Sequence, residues 1–283
     1  MDRTLQTKIF FRSFFLQSGW NFEGMQNIGF LFSVEPALRK FYSGPTLYAA
    51  MKRHLEVFNT QPFMASFTLG MVVRMEERAA LLPQAEMERE WLKISAMKKA
   101  LSTVTAAIGD RLFWGTVRSC GFATLLFVWW LAGFKFWMMA PWSLRHTYYS
   151  DNYVGIVLGV AAGLAVYNAL PVWIRWRGIS YGYICEGNRS CGMDYFNWQN
   201  VIKVLRRWGY ALSILVATLF VATFFQEVIK AGLNRETVIS LICVPLLGVA
   251  ALFFRRRGIS SVYLYLTVIG LAMLYNSFFA EIM

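Results

Sequence analysis

Three stretches in the first 120 residues carry side chains able to recognise a polar solute. In the run 108–118, Asp110 and Trp114 stand one helical turn apart. A carboxylate that accepts from hydroxyls, beside an aromatic face that stacks on a ring, is a combination suited to a sugar. The ordinary account of the same residues is that Asp110 caps a helix after Gly109 and that Arg118 snorkels toward headgroups. In the run Asn59-Thr60-Gln61-Pro62, Pro62 halts a helix and Asn59 tolerates the left-handed conformation that ends one. An unwound segment at membrane depth would also expose its amides and backbone groups to a solute. Glu76 and Glu77 are neighbours, about 100° apart on a helix, so at most one faces any given cavity. Arg74 is placed to reach Glu77 at a solvated helix end.

The chain has two histidines, His54 and His146. Neither has a second His or a nucleophile at a motif spacing, which argues against a phosphohistidine relay, a triad or a His metal site. His54 reads as a packed or headgroup-facing residue on an amphipathic helix. Four cysteines, Cys120, Cys185, Cys191 and Cys243, lack CxxC spacing. No catalytic residue, metal or cofactor is expected.

The elements that must hold these residues are membrane elements. Of 283 residues, 57% are hydrophobic, 17% aromatic and 16% charged, too apolar for an ordinary soluble domain. The net charge of +12 is not gathered on a soluble face as in a nucleic-acid binder. It collects at the ends of apolar runs, so the lipid bilayer, not nucleic acid, is the expected partner. Those runs are 120–142, 153–174, 208–229, 237–254 and 261–280, each about the length of a membrane span. Loop charges alternate, with Arg255, Arg256 and Arg257 between the last two runs, and they place the stretch before the first run in the cytoplasm and the C-terminus outside.

The expected class is therefore an all-α integral membrane protein in which amphipathic and re-entrant or broken helices precede about five transmembrane helices. Residues 1–17 form an amphipathic interfacial helix, with Phe10, Phe11, Phe14 and Phe15 interleaved with Lys8 and Arg12. They show no cleavable-leader pattern. Residues 18–82 form a broken or re-entrant helical region, with helices predicted from Thr46 to Phe58 and from Phe63 to Arg78. Residues 83–107, with Glu86, Glu88 and Glu90 ahead of Lys93, Lys98 and Lys99, form a charged cytoplasmic connector. Residues 108–283 hold the Asp110 motif and the spans.

At these residues the chain resembles the IID subunit of the mannose, fructose and sorbose family of the bacterial sugar phosphotransferase system. The resemblance is carried by Arg12-Ser13, by Gly19-Trp20-Asn21-Phe22-Glu23-Gly24-Met25-Gln26-Asn27-Ile28-Gly29-Phe30, by Arg53-His54-Leu55-Glu56-Val57-Phe58-Asn59-Thr60-Gln61-Pro62-Phe63, by the run 70–77, and by Gly109-Asp110 with Phe113-Trp114-Gly115-Thr116-Val117-Arg118. A weaker echo follows at Tyr181-Gly182-Tyr183. It implies a multi-pass subunit of the bacterial cytoplasmic (inner) membrane that pairs with a IIC subunit as a trimer of IIC–IID heterodimers. Cytoplasmic IIA and IIB carry the phosphate, and IIB hands it to the sugar during translocation. On that basis Asn59, Gln61, Glu76, Glu77, Asp110 and Trp114 are the expected sugar contacts, and Trp20, Asn21, Glu23 and Arg118 are expected to shape the pocket or the subunit contact. The substrate is a hexose, an amino sugar or a related conjugate. The alternative is a structural subunit that stabilises IIC without touching sugar. One departure stands out: family members carry a Gly- and Pro-containing run before Gly109, and residues 98–108 here contain neither. The helix leading into Gly109 should therefore be more continuous.

Overall fold

The computed structural model describes residues 1–132, 153–185, 193 and 196–231. The expected spans 237–254 and 261–280, the end of 120–142, His146, Cys191, Cys243 and the arginines 255–257 lie outside the described residues. By packing, the chain forms two units, Met1–Leu125 with Val160–Ser213, and Leu126–Gly159 with Ile214–Met283. Every regular element among the described residues is helical.

The first unit begins with α1 (Arg3–Ser13), started by the Asp2 carboxylate, which accepts from the Leu5 N–H at 2.6 Å. The helix lies within the 1–17 stretch that its sequence pattern marks out and ends before Phe14. Its inner face is Leu5, Ile9 and Ser13, while Phe11 and, just beyond, Phe14 and Phe15 stay exposed. α1 lies on α2 (Asn27–Phe41), where Gly29 allows the Leu16 carbonyl to approach so closely that a methyl group would collide with it. Arg12 and Arg39 both pair with Glu35 at this seam.

α3 (Gly44–Arg53) ends well before Phe58, where the sequence pattern would carry it. The structural reason is that Phe58 pairs through its backbone with Gly24 and Gln26 and is thereby withdrawn from any helix. α4 (Ala65–Ala79) then runs through the core, with eleven of its residues buried. Gly70 of α4 meets the backbone of α7 (Tyr153–Ile184) at Ile179, and Gly178 and Gly182 of α7 receive Ser66 and Phe67. Small residues here let two helix backbones touch, as they do in membrane helix pairs.

α5 (Gln84–Gly109), a π-helical turn (Asp110–Val117) and α6 (Arg118–Leu131) follow one another without interruption. Continuity into Gly109 agrees with the missing Gly and Pro. It also corrects the capping account of Asp110, whose φ and ψ are helical and whose N–H donates to the Ala106 carbonyl. The 83–107 stretch is likewise more than a solvated connector, because Ile94, Lys98, Leu101, Ser102 and Thr105 form a buried face against the core. Its glutamates dominate the sequence signal, yet they lie away from an inner stripe that, apart from Lys98, is apolar or hydroxylated.

Among the described residues, three helical stretches are long and apolar enough to cross a membrane: Gln84–Leu131, Val154–Ile184 and Trp198–Thr223 within α8 (Trp198–Ala231). Within the second unit, Trp129 packs on Gly159 and donates its indole N–H to the Ile156 carbonyl at 3.0 Å.

Candidate functional site

The break between α3 and α4 is an ordered piece of extended chain. The Phe58 N–H donates to the Gly24 carbonyl at 3.2 Å, and the Gln26 N–H donates to the Phe58 carbonyl at 2.8 Å. Residues 24–26 and 58 thus pair as a short parallel ladder, and Met25 takes a positive φ of 58° to permit it. Asn59, expected to adopt a left-handed conformation, does not; among the described non-glycine residues only Met25 has positive φ. Past the ladder, Gln61 starts the turn into α4. Its side-chain oxygen accepts from the Phe63 N–H at 2.7 Å, and its carbonyl accepts from the Met64 N–H at 2.9 Å. The amide nitrogen of Gln61 is buried and has no hydrogen-bond partner among the described residues. Gly109 packs on this side chain, which places the break beside the start of the π-helical turn.

Below the break lies a charged cluster. The Glu76 carboxylate is fully enclosed and accepts from the Tyr42 hydroxyl at 2.8 Å, from Arg53, and from His54 Nε2 at 2.8 Å. Arg53 stacks on Trp91 at 4.4 Å, and Lys98 donates to the His54 carbonyl at 3.2 Å while lying over Phe30 at 4.6 Å. Burial lowers the pKa of His54 against the pull of Glu76, and its buried Nδ1 has no hydrogen-bond partner among the described residues. Burial pushes the Glu76 carboxyl up, but the hydrogen bond from His54 and the positive charge of Arg53 outweigh it and hold the group below the ordinary carboxyl range. Glu76 is therefore an ionised brace between α2, α3 and α4, with both oxygens occupied.

The other predicted residues divide between buried and accessible positions. Glu77 points away from Glu76, as adjacency requires, and bonds Arg74 at 3.1 Å and the Tyr183 hydroxyl. That contact gives the Tyr181-Gly182-Tyr183 echo a place in the fold. Asn59, Asp110, Trp114 and Arg118 are exposed, and the Arg118 guanidinium lies 5.6 Å from the Trp114 ring centre. Asn21 and Glu23 line an open depression of about 420 Å³ with Gly24, Asn27, Ile28, Leu55 and Val57. Trp20 is exposed beside it and edge-on to Phe22 at 4.9 Å. The structure therefore joins Gln61 to Gly109, keeps Trp114 with Arg118, and sets Glu76 apart from all of them.

Set beside known proteins, residues 1–133 match the family described as PTS system mannose/fructose/sorbose family IID component. The mannose-specific EIID component of Escherichia coli K12 is 36% identical over 177 residues, 62% of this chain and 53% of that protein. In that match the chain spans about half the length of its relative. The sorbose-specific EIID component of Lacticaseibacillus casei is 32% identical over 95% of this chain and 93% of its own length. This chain belongs to the mannose/fructose/sorbose family of IID components. Its long apolar helices make it a membrane protein. Its fold is shared with a chain of the mannose transporter ManYZ, solved with microcin E492, at a TM-score of 0.53 and 24% identity over 96% of both chains.

Four participants went unseen in the sequence of this IID chain. Tyr42, Lys98 and Thr105 carry no local signal, because one ends a helix, one sits in a charge run and one sits in an apolar stretch. Gln26 falls inside the Trp20–Asn27 block but gains its meaning only from Thr60, 34 positions away.

Proposed function

We propose that this IID chain forms, with a IIC subunit, the path along which a hexose, amino sugar or related conjugate enters the cell as it is phosphorylated. Phosphate reaches the sugar from IIA through IIB, and the membrane pair assembles as a trimer of heterodimers in the bacterial cytoplasmic membrane. One observation carries the reading: the unwound 54–64 segment holds a buried Gln61 carboxamide with a spare donor, next to Gly109 and the acidic start of a π-helical turn. π turns recur at functional sites, and a dehydrated donor is stable only when something answers it. Gln61, Asn59, Glu77, Asp110 and Trp114 supply the contacts to sugar hydroxyls and ring. Trp20, Asn21, Glu23 and Arg118 face the partner or the pocket mouth. α1 lies in the headgroup layer, with Phe11, Phe14 and Phe15 toward lipid.

The test is phosphorylation-coupled uptake by the assembled complex carrying Gln61→Ala, Asn59→Ala, Glu77→Gln or Asp110→Asn. A loss of at least tenfold is expected in one or more of the four. Parental rates in all four would discard the site. A second reading, that the chain only braces IIC, is favoured by the enclosure of Glu76, whose oxygens are taken up by this chain's own groups. Under it, substitutions reduce the amount of complex and leave substrate affinity unchanged.

A further inference from the structure

Where α2 begins at Asn27, the backbone can no longer continue the short ladder that pairs residues 24–26 with residue 58. The side chain of Gln26 continues it instead. Its oxygen accepts from the Thr60 N–H at 3.1 Å, and its amide nitrogen donates to the Thr60 carbonyl at 2.8 Å. A primary amide offers the same donor and acceptor as a peptide unit, so Gln26 completes the pairing that a backbone would otherwise make. On its other side the Thr60 hydroxyl is shared with Thr105 at 2.7 Å and with the Ser102 carbonyl of α5 at 2.9 Å. Gln26, Thr60, Ser102 and Thr105 are all buried. Thr60 therefore has every polar group satisfied while its two neighbours, exposed Asn59 and the unmatched nitrogen of Gln61, have groups to spare.

We propose that Gln26 is a positioning residue for solute recognition: its carboxamide holds Thr60 extended, so that Asn59 and Gln61 are presented as a preset pair of amides. The clamp engages both backbone groups of Thr60, so the chain on either side cannot wind into helix without leaving the buried Gln26 carboxamide unpaired. Preorganised donors and acceptors favour binding because their ordering is complete before the ligand arrives. The inference rests on the transport reading above and deepens it. It differs in assigning a role to a residue that touches no solute.

The experiment uses the complete chain assembled with its IIC, IIA and IIB partners, as parent, Gln26→Met and Gln26→Glu. Met keeps the volume and loses both bonds; Glu keeps an acceptor for the Thr60 N–H and sets a carboxylate against its carbonyl. Hydrogen exchange over residues 58–64 is read first, without sugar. Uptake of radiolabelled mannose, fructose and sorbose is then measured for KM and kcat. Both variants should assemble in parental amounts, exchange at Thr60 about tenfold faster, and raise KM about tenfold with kcat within about twofold. Unchanged exchange overturns the clamp. Faster exchange with unchanged KM overturns the positioning role and leaves the transport reading standing. Failure of both variants to assemble also overturns it, since Gln26 would then serve folding alone. A parental complex that takes up none of the three sugars, nor radiolabelled glucosamine and N-acetylglucosamine assayed beside them, defeats the transport reading itself, an outcome kept separate because exchange is read without sugar.

Discussion

Glu76 and Glu77 show how one residue's position on a helix decides its chemistry. Glu76 faces three helices and neutralises Arg53 in a fully enclosed site, so Glu76→Gln leaves a largely buried guanidinium without its counter-charge. A cost of about 3 kcal/mol is expected, read as a lower thermal midpoint of the detergent-purified complex. Glu77→Gln, at a half-exposed pair, should shift that midpoint far less. The same cluster makes stability depend on pH. His54 has its pKa lowered in the fold, below its ordinary 6.5, so the unfolded chain binds the proton first. Its contribution is complete above about pH 6.5 and declines as the pH falls below that. Glu76 is held below its ordinary 4.5, so its contribution is present above that value and is lost as pH falls through the depressed one. Thermal melts from pH 8 down to pH 2 should therefore show two losses. His54→Gln, which still donates to Glu76 but cannot take up the proton, should remove the earlier one.

At the level of elements, helices are set by how closely their backbones approach. Gly109 and Gly115 lie six residues apart on one continuous helix and make opposite predictions. A methyl at Gly109 would sit 2.5 Å from Gln61 Cβ and 2.8 Å from Met64 Cγ, whereas at Gly115 nothing lies within 4 Å. Gly109→Ala should displace the break, at a cost of about 1–3 kcal/mol and most of the uptake. Gly115→Ala should fold as well as the parent or up to ~1 kcal/mol better, because alanine restricts the unfolded chain. Circular-dichroism melts with parallel uptake assays distinguish the two. Gly182→Val, at the α4–α7 crossing, should lower the amount of folded protein in membranes on immunoblots, since the Phe67 carbonyl occupies the space. The π-helical turn is held partly by Thr116, whose hydroxyl donates to the Arg111 carbonyl five residues back at 3.1 Å. The turn rotates Asp110 and Trp114 relative to the rest of α5 and α6, so their bearing cannot be projected from a uniform 3.6-residue period.

For the whole molecule, the candidate spans leave most of their apolar surface uncovered. Only 33%, 22% and 11% of their most apolar windows are buried within the chain. Such surface is stable only against lipid or another apolar subunit. Alkaline carbonate should therefore leave the chain in the membrane pellet. From the charge asymmetry of the loops, the α4–α5 turn is expected on the cytoplasmic side. Leu81 is 84% exposed in that turn, so Leu81→Cys in a background lacking the native cysteines is a direct probe. A membrane-impermeant maleimide should label it in inside-out vesicles and not in intact cells; the reverse result would invert the proposed orientation.

The sequence by itself determined the membrane character, the helical class and the family, because each rests on local signals: apolar runs of spanning length, charge at their ends, and blocks such as Asn59-Thr60-Gln61-Pro62. It also determined that a helix must break near Pro62 and that Glu76 and Glu77 face different ways. Tertiary structure alone decided which of the two acids is a brace, that Lys98 and Thr105 of the charged stretch turn inward, and that Asp110 lies within a helix instead of starting one. The first two depend on partners far away along the chain, such as Tyr42 for Glu76 at 34 positions, Thr60 for Thr105 at 45 and Tyr183 for Glu77 at 106. Buried polar groups are satisfied wherever the fold brings a complement, and distance along the chain carries no trace of that pairing.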